Sequence, residues 1–375
     1  MVTALALALV IPLHCGLAQS TPTDSTPRVT FGAFVDGYFA WDAGRPPSLD
    51  RSFAGGALFT TQPARHNEFN VNLAFVEAKL EAPHYRGRLA LQTGTSVQSN
   101  YSGEPTTGSI SGPGLGRLIQ EAVVGVQLAD NLWVDGGIFY SHMGMESWAS
   151  RDNPTYTRSL VAEYSPYYQS GVKFTWSPSA QVTAQLDIVN GWQNISENNT
   201  GKAAGVRVDF AATPNSTISY YNLFSNEAGS RLRIFNGIGA KHTSGKLTLL
   251  GEFDAGSQSR PSNASGSSTW YGWAAIARVQ AAPTVALVAR IEAYTDRDQV
   301  IIATGTRLAG ASVVGNPAFR GTGTSVGVDV APYARVLWRT EIRGWQNADA
   351  VFPDGTASAP KKQSVFAVTS LALSF

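Results

Sequence analysis

Residues 334–344 read ARVLWRTEIRG. Val336, Trp338, Thr340 and Ile342 share one parity, and Arg335, Arg339, Glu341 and Arg343 share the other. A period of two places them on opposite faces of a β-strand. One face is apolar and the other carries four charges. A closed, dry core cannot hold such a row cheaply, because each unpaired ion loses its hydration there. A water-filled lumen can hold it, with the apolar face turned to lipid.

The same alternation recurs along the chain. In 246–256, Leu247, Leu249, Phe253 and Ala255 oppose Thr248, Glu252 and Asp254. In 284–295, Val285, Leu287, Ala289, Ile291 and Ala293 oppose Arg290, Glu292 and Tyr294. In 203–211, Val206, Val208 and Phe210 oppose Arg207 and Asp209. The pattern predicts strands at 29–41, 68–80, 88–98, 118–128, 132–140, 167–176, 181–190, 203–211, 216–224, 231–243, 246–256, 268–281, 284–295, 322–331, 334–344 and 363–375. The strand at 68–80 changes phase near Phe75 and Val76, the mark of a bulge.

The connections sort by length. Those after even-numbered strands are tight and rich in turn formers, such as Ala129-Asp130-Asn131, Ser244-Gly245-Lys246 and Pro283-Thr284. Those after odd-numbered strands are mostly long and polar: 42–67, 99–117, 141–166, 296–321 and 345–362. Short periplasmic turns and long outer loops are the layout of an outer-membrane barrel. The expected fold is therefore all-β: a transmembrane antiparallel up-and-down β-barrel of about 16 strands, with both ends on the periplasmic side. A soluble sandwich alternates too, but it does not segregate its connections this way.

Composition agrees. Charged residues are 15% of the 375-residue chain and mean hydropathy is −0.08, so apolar residues must be patterned rather than massed. A net charge of +1 gives no bulk electrostatic case for nucleic acid. No apolar run after residue 20 is long enough for a membrane helix. Residues 1–18, ending in a plausible cut after Ala18, read as a secretory signal peptide, although no Lys or Arg precedes the apolar run. His14 precedes Cys15 where a lipobox needs a small residue. Residues 19–28 are then a short periplasmic segment and 29–375 the barrel, in a bacterial outer membrane.

The chain ends QSVFAVTSLALSF, in which Phe375, Leu373 and Leu371 share a parity with Thr369, Ala367 and Val365. This ending resembles the C-terminal signal of outer-membrane barrels that the insertion machinery reads, with Leu373 where many carry an aromatic. FGAFVDGYFAWD (31–42), LWVDGGIFYSHMGME (132–146), TRSLVAEYSPYYQSGVKF (157–174), and DIVNGWQNISENN (187–199) followed by GVRVDF together resemble the OmpL-like outer-membrane β-barrel porins. The resemblance spans most of the mature chain and is most specific in residues 131–210. It implies a barrel that passes small hydrophilic solutes and names none of them.

No catalytic constellation stands out. Ser141 and His142 are neighbours on a strand end and point apart, which does not suit a nucleophile and its base. The five histidines are scattered, without metal-ligand spacing, so neither metal nor cofactor is expected. The alternative to a porin is a non-conducting barrel, either an enzyme or a structural or adhesive protein. Expected partners are the bilayer, the insertion machinery and small solutes. Trimers are common among sixteen-strand porins, but no interface is legible, so a homotrimer stays open.

Candidate pore-lining bases are Arg207, Arg231, Arg233, Lys241, Arg278, Arg290, Arg335, Arg339 and Arg343. Candidate pore-lining acids are Asp36, Glu121, Asp135, Asp187, Asp209, Glu252, Asp254, Glu292, Asp329 and Glu341. Acids prevail on strands 1–7 and bases on strands 10–15, with Lys173 an exception, which predicts a transverse field. The long connection at 141–166, with Glu146, Arg151, Asp152, Arg158 and Glu163, is the candidate constriction loop. Aromatics near strand ends, among them Tyr38, Phe39, Trp41, Trp176, Trp270, Tyr271, Trp273 and Trp345, are expected at the membrane interfaces. The tetrapeptide GWQN occurs twice, with Trp192 and Trp345, each where an upward strand ends. Strict alternation puts Trp192 on the lipid face and Trp345 on the lumen side.

Overall fold

The computed structural model describes residues 26–227, 231–261, 264–305, 317–355 and 359–375. The proposed leader lies outside them. Sixteen strands form one closed antiparallel barrel, each paired with its sequence neighbours and β1 closing on β16. The strands are β1 (Arg28–Asp42), β2 (Phe69–Glu81), β3 (Tyr85–Thr93), β4 (Ile119–Ala129), β5 (Leu132–Tyr140), β6 (Tyr168–Ser179), β7 (Val182–Val189) and β8 (Ala203–Thr213). They continue as β9 (Ser216–Glu227), β10 (Arg231–Ser244), β11 (Leu247–Ser259), β12 (Ser267–Ala282), β13 (Val285–Asp296), β14 (Phe319–Tyr333), β15 (Val336–Asn347) and β16 (Gln363–Ser374). Closure leaves no unpaired edge, which the bilayer interior requires.

Alternation is what sorts the side chains. On β13, Leu287 and Ile291 face outward, while Arg290 and Glu292 are buried inside. On β16, Val365, Leu371 and Leu373 face outward opposite buried Phe366, Val368 and Ser370, and Phe375 continues the outward row. The outward row is the lipid face, because an apolar belt gains only where water is absent.

Two departures from plain alternation are local. In the β1–β2 pairing Asp36 faces Leu73 and Gly37 faces Val71, so Asn72 is the extra residue of a bulge. The phase change of β2 thus sits at Asn72, not at Phe75 and Val76. Strand β3 begins at Tyr85, earlier than the pattern suggests, and residues Thr95–Asn100 form a short helix, α1, rather than its end. The turn 82–84 looks longer in sequence because Arg86-Gly87 reads as turn chemistry. Gly245, at φ 56°, takes the left-handed conformation in the β10–β11 turn that a side chain would strain.

The long connections are L1 (43–68), L2 (94–118), L3 (141–167), L4 (190–202), L7 (297–318) and L8 (348–362), and their described residues lie at one end. The expected interfacial aromatics divide. Trp41, Trp176, Tyr271 and Trp273 are exposed on the lipid side, but Tyr38, Trp270 and Trp345 are buried inside. Both GWQN tryptophans point inward: Trp192 packs edge-on to Phe235 and Trp270, and Trp345 stacks on Phe366. Trp192 lies beyond the end of β7, so strand parity no longer dictates its direction.

Candidate functional site

The interior of the barrel is organised by three arginines on its β13–β15 wall. Arg339 grips Asp329 with Nε and Nη2, at 2.8 and 3.0 Å. Its remaining donors reach L3 backbone carbonyls: Ser150 O at 2.6 Å, Asn153 O at 3.2 Å and Pro154 O at 2.7 Å. Arg290 donates to Thr157 O at 2.6 Å and to Glu341 Oε1 at 2.8 Å. Arg343 donates to Glu292 Oε1 at 2.5 Å and to Arg158 O at 2.8 Å. The two carboxylates then take the L3 amides: Glu341 accepts from Thr157 N–H at 2.8 Å and Glu292 from Leu160 N–H at 2.7 Å. Each charge is paired, the condition under which buried ions are tolerated; Arg290 Nε, 3.7 Å from Glu292, is the donor of this cluster without a hydrogen bond among the described residues.

L3 is held on its other sides as well. Asp36 on β1 accepts from Ser150 Oγ at 2.9 Å and from Asn72 at 3.0 Å. Arg151 donates to Ser374 at 2.8 Å and lies 4.9 Å from the Phe34 ring centre. Glu252 on β11 accepts from Met145 N–H at 3.2 Å, and the single Tyr221 hydroxyl lies between Glu252 and Asp254, 2.8 Å from the latter. Arg207 pairs with Asp209 and donates to His142 O at 2.9 Å and Gly144 O at 2.8 Å. The segment therefore contacts β1, β8, β11, β13 and β15, lying across the lumen rather than over its rim.

Within L3, Glu146 accepts from the Ser159 N–H and hydroxyl, and burial raises its carboxyl above the usual range. Arg158 lies over the Tyr167 ring at 3.4 Å and is 3.5 Å from Glu163, which accepts from Thr61 N–H of L1 at 2.5 Å. Asp152 is half-exposed and 3.7 Å from Arg151. Ser159 caps a short helix, α2 (Leu160–Glu163), accepting from Ala162 N–H. Above it, Phe53 and Phe59 of L1, Ile302 of L7, Phe352 of L8 and Tyr156 and Leu160 of L3 share one apolar cluster with Phe319, Trp345 and Phe366 of the wall.

The predicted wall residues fall into place unevenly. Arg233 bonds Gln258 at 2.6 Å and lies 4.9 Å from the Trp192 ring centre and 5.8 Å from that of Trp270. Arg278 is 3.3 Å from Asp329, and Arg231 is half-buried at the loop end of β10. Lys241 is exposed near the β10–β11 turn. Arg335 is a correction: it is exposed in the tight turn between β14 and β15, because β15 starts two residues later than the alternation suggests. Asp187 is 3.4 Å from His142 Nδ1, while His142 Nε2–H donates to Asn222 O at 2.8 Å. Ser141 Oγ accepts from Met143 N–H, so Ser141 and His142 engage different partners.

The acidic wall also needs correction. Asp135 is gripped by Arg86 and Glu121 by Arg88, both on β3. Glu77 pairs with Arg88 and Lys79. Glu77, Glu121 and Asp135 are thus neutralised locally, whereas Asp36 is held by Asn72 and Ser150 and Asp187 by Gln185. Arg86 went unrecognised in sequence because it sat in an apparent turn.

The family model for beta-barrel porin-2, OmpL-like, matches residues 28–375. No curated protein matches the chain. Among solved structures, the chain is similar to Pseudomonas putida OprB at high pH (11% identity, 92% of this chain and 94% of that one, TM-score 0.60). It is similar to the anion-selective porin of Comamonas acidovorans (11% identity, 93% and 100%, TM-score 0.57). It is also similar to the trimer form of OmpT, an outer membrane protein of Vibrio cholerae (9% identity, 94% and 100%, TM-score 0.57). These likenesses share the fold across nearly all of each chain. With the family match over the whole barrel, the chain belongs to the OmpL-like β-barrel porins and is a channel protein of the bacterial outer membrane.

Proposed function

We propose that the barrel passes small hydrophilic solutes by passive diffusion and that L3 sets the width of the path. The observation that carries this reading is the triple grip of Arg290, Arg339 and Arg343 on the L3 backbone, opposite the bonds from Arg207 of β8 to His142 O and Gly144 O. A loop so held subtracts from the cross-section that a solute can use. On this reading the residues named above as lining the lumen meet the solute or support the loop, and none has a catalytic part. A trimer is the assembly we favour, since one similar structure is described as a trimer form. Phe375, Leu373 and Leu371, all outward, would serve the insertion machinery as the terminal signal.

The test is single-channel conductance in planar bilayers of the refolded protein with residues 149–160 removed. Conductance above that of the intact barrel is expected. An unchanged value would overturn the constriction, and no current from either protein would favour a closed structural barrel.

A further inference from the structure

We propose that the inner wall from β2 to β6, at the short-turn end, holds a binding subsite for small organic carboxylates, with Lys173 setting its affinity. The proposal rests on the channel reading above and adds a solute class to it. A cavity of about 300 Å³ lies against Lys79, Glu81, Arg86, Arg88, Glu121, Asp135 and Lys173. That is the lower end of the range for small-molecule sites.

The charges there are nearly balanced in number but not in what they present. Lys79 is 43% exposed and its partner Glu77 9%. Arg86 is 37% exposed and Asp135 3%. Arg88 is 24% exposed and Glu121 9%. In these pairs the carboxylates lie beneath and the cations on top; Glu81, at the turn edge of the cavity, is exposed. Both oxygens of Asp135 are taken by Arg86, at 2.7 and 2.5 Å. A cationic solute therefore meets no open acceptor on these pairs, whereas an anion meets N–H donors.

The arrangement is built rather than incidental. A Cβ at Gly125 would lie 2.1 Å from Asp135 Oδ1 and 3.1 Å from Arg86 Cγ, so a bare backbone there makes room for the pair. The Arg86 guanidinium lies 4.4 Å over the Trp133 ring, which fixes its plane. Lys173 is the odd cation. Its ammonium lies 4.8 Å over the Phe139 ring and makes no ion pair among the described residues. Its nearest carboxylates, Asp135 and Asp187, are committed to Arg86 and to Gln185 and His142. An ammonium with three donors and no acceptor is the natural anchor for a carboxylate that the neighbouring guanidinium donors complete.

The test uses the full barrel and propionate, with propionamide as its neutral counterpart. Propionate should reduce the KCl current saturably in planar bilayers and give a binding isotherm by titration calorimetry in detergent; propionamide should do neither. Lys173→Met leaves no acceptor orphaned and should raise the half-saturating concentration roughly tenfold, the factor corresponding to 1.4 kcal/mol. Lys173→Arg should restore most of it. Equal action of propionamide, or an isotherm unmoved by Lys173→Met, would overturn the subsite. Binding without any channel current would instead sink the channel reading and leave the subsite standing.

Discussion

Arg339 shows how one side chain can serve two structures at once. Guanidinium offers five N–H donors in a plane. Arg339 spends its Nε edge on Asp329 and its outer edge on three L3 carbonyls, while itself 1% exposed. Lysine could not span both, because its ammonium is a point charge without a fork. Arg339→Met would leave Asp329 with only Arg278, at 3.3 Å, and strip L3 of its deepest anchors. Breaking such a pair costs about 3–5 kcal/mol where the charge stays buried. We expect Arg339→Met to lower the urea midpoint of the folded barrel and to raise channel conductance together. A drop in stability with no change in conductance would detach Arg339 from L3.

At the scale of the element, L3 is held by backbone groups more than by its own charges. The wall arginines reach its carbonyls, so its sequence carries little sign of where it docks. Glu146 is the exception that makes docking depend on pH. Its carboxyl is raised by burial, despite Arg290 nearby and bonds from Ser159. The folded loop then binds a proton that the released loop has already lost. Stability linked to Glu146 is therefore full below the ordinary carboxyl range and falls as pH rises toward the raised value. Hydrogen exchange at the Ser159 amide, corrected for the intrinsic pH dependence of exchange, should speed up across that interval. Glu146→Gln should flatten the trend; a trend that persists in the variant would assign it elsewhere.

The same element marks the limit of what the sequence discloses. The strands were legible because lipid on one side and water on the other enforce a period of two at every residue. Arg290, Glu292, Arg339, Glu341 and Arg343 could be placed on the inner face by parity alone. What they touch could not, since Arg339 meets Pro154 across 185 residues of chain. Arg86 and Arg335 were misplaced for one shared reason: beside a turn the alternation is too short to fix where a strand starts. Trp192 was misjudged because alternation was carried past the last paired residue of β7.

At the scale of the whole molecule, charge is sorted by height. Behind L3, Arg290, Glu292, Arg339, Glu341 and Arg343 are buried, and a charge covered there steers little that passes. Toward the short turns Lys79, Arg86, Arg88, Lys241 and Arg278 stay accessible to water, while Glu77, Glu121, Asp135 and Asp329 lie under their partners and Glu81 and Asp209 are accessible acids. A net charge of +1 conceals this asymmetry, because it sums pairs that solvent sees unequally. The accessible excess should attract anions over roughly one Debye length, about 10 Å at 0.1 M salt and 3 Å at 1 M. Anion preference should therefore be clear in dilute KCl and shrink in concentrated KCl. Reversal potentials under tenfold KCl gradients centred on low and on high concentration measure it directly. Lys79→Met with Lys241→Met should weaken the preference at low salt and leave the high-salt value nearly unchanged, since screening already hides those charges there. Cation preference at low salt would mean that the carboxylates, not the bases above them, govern the field along the path.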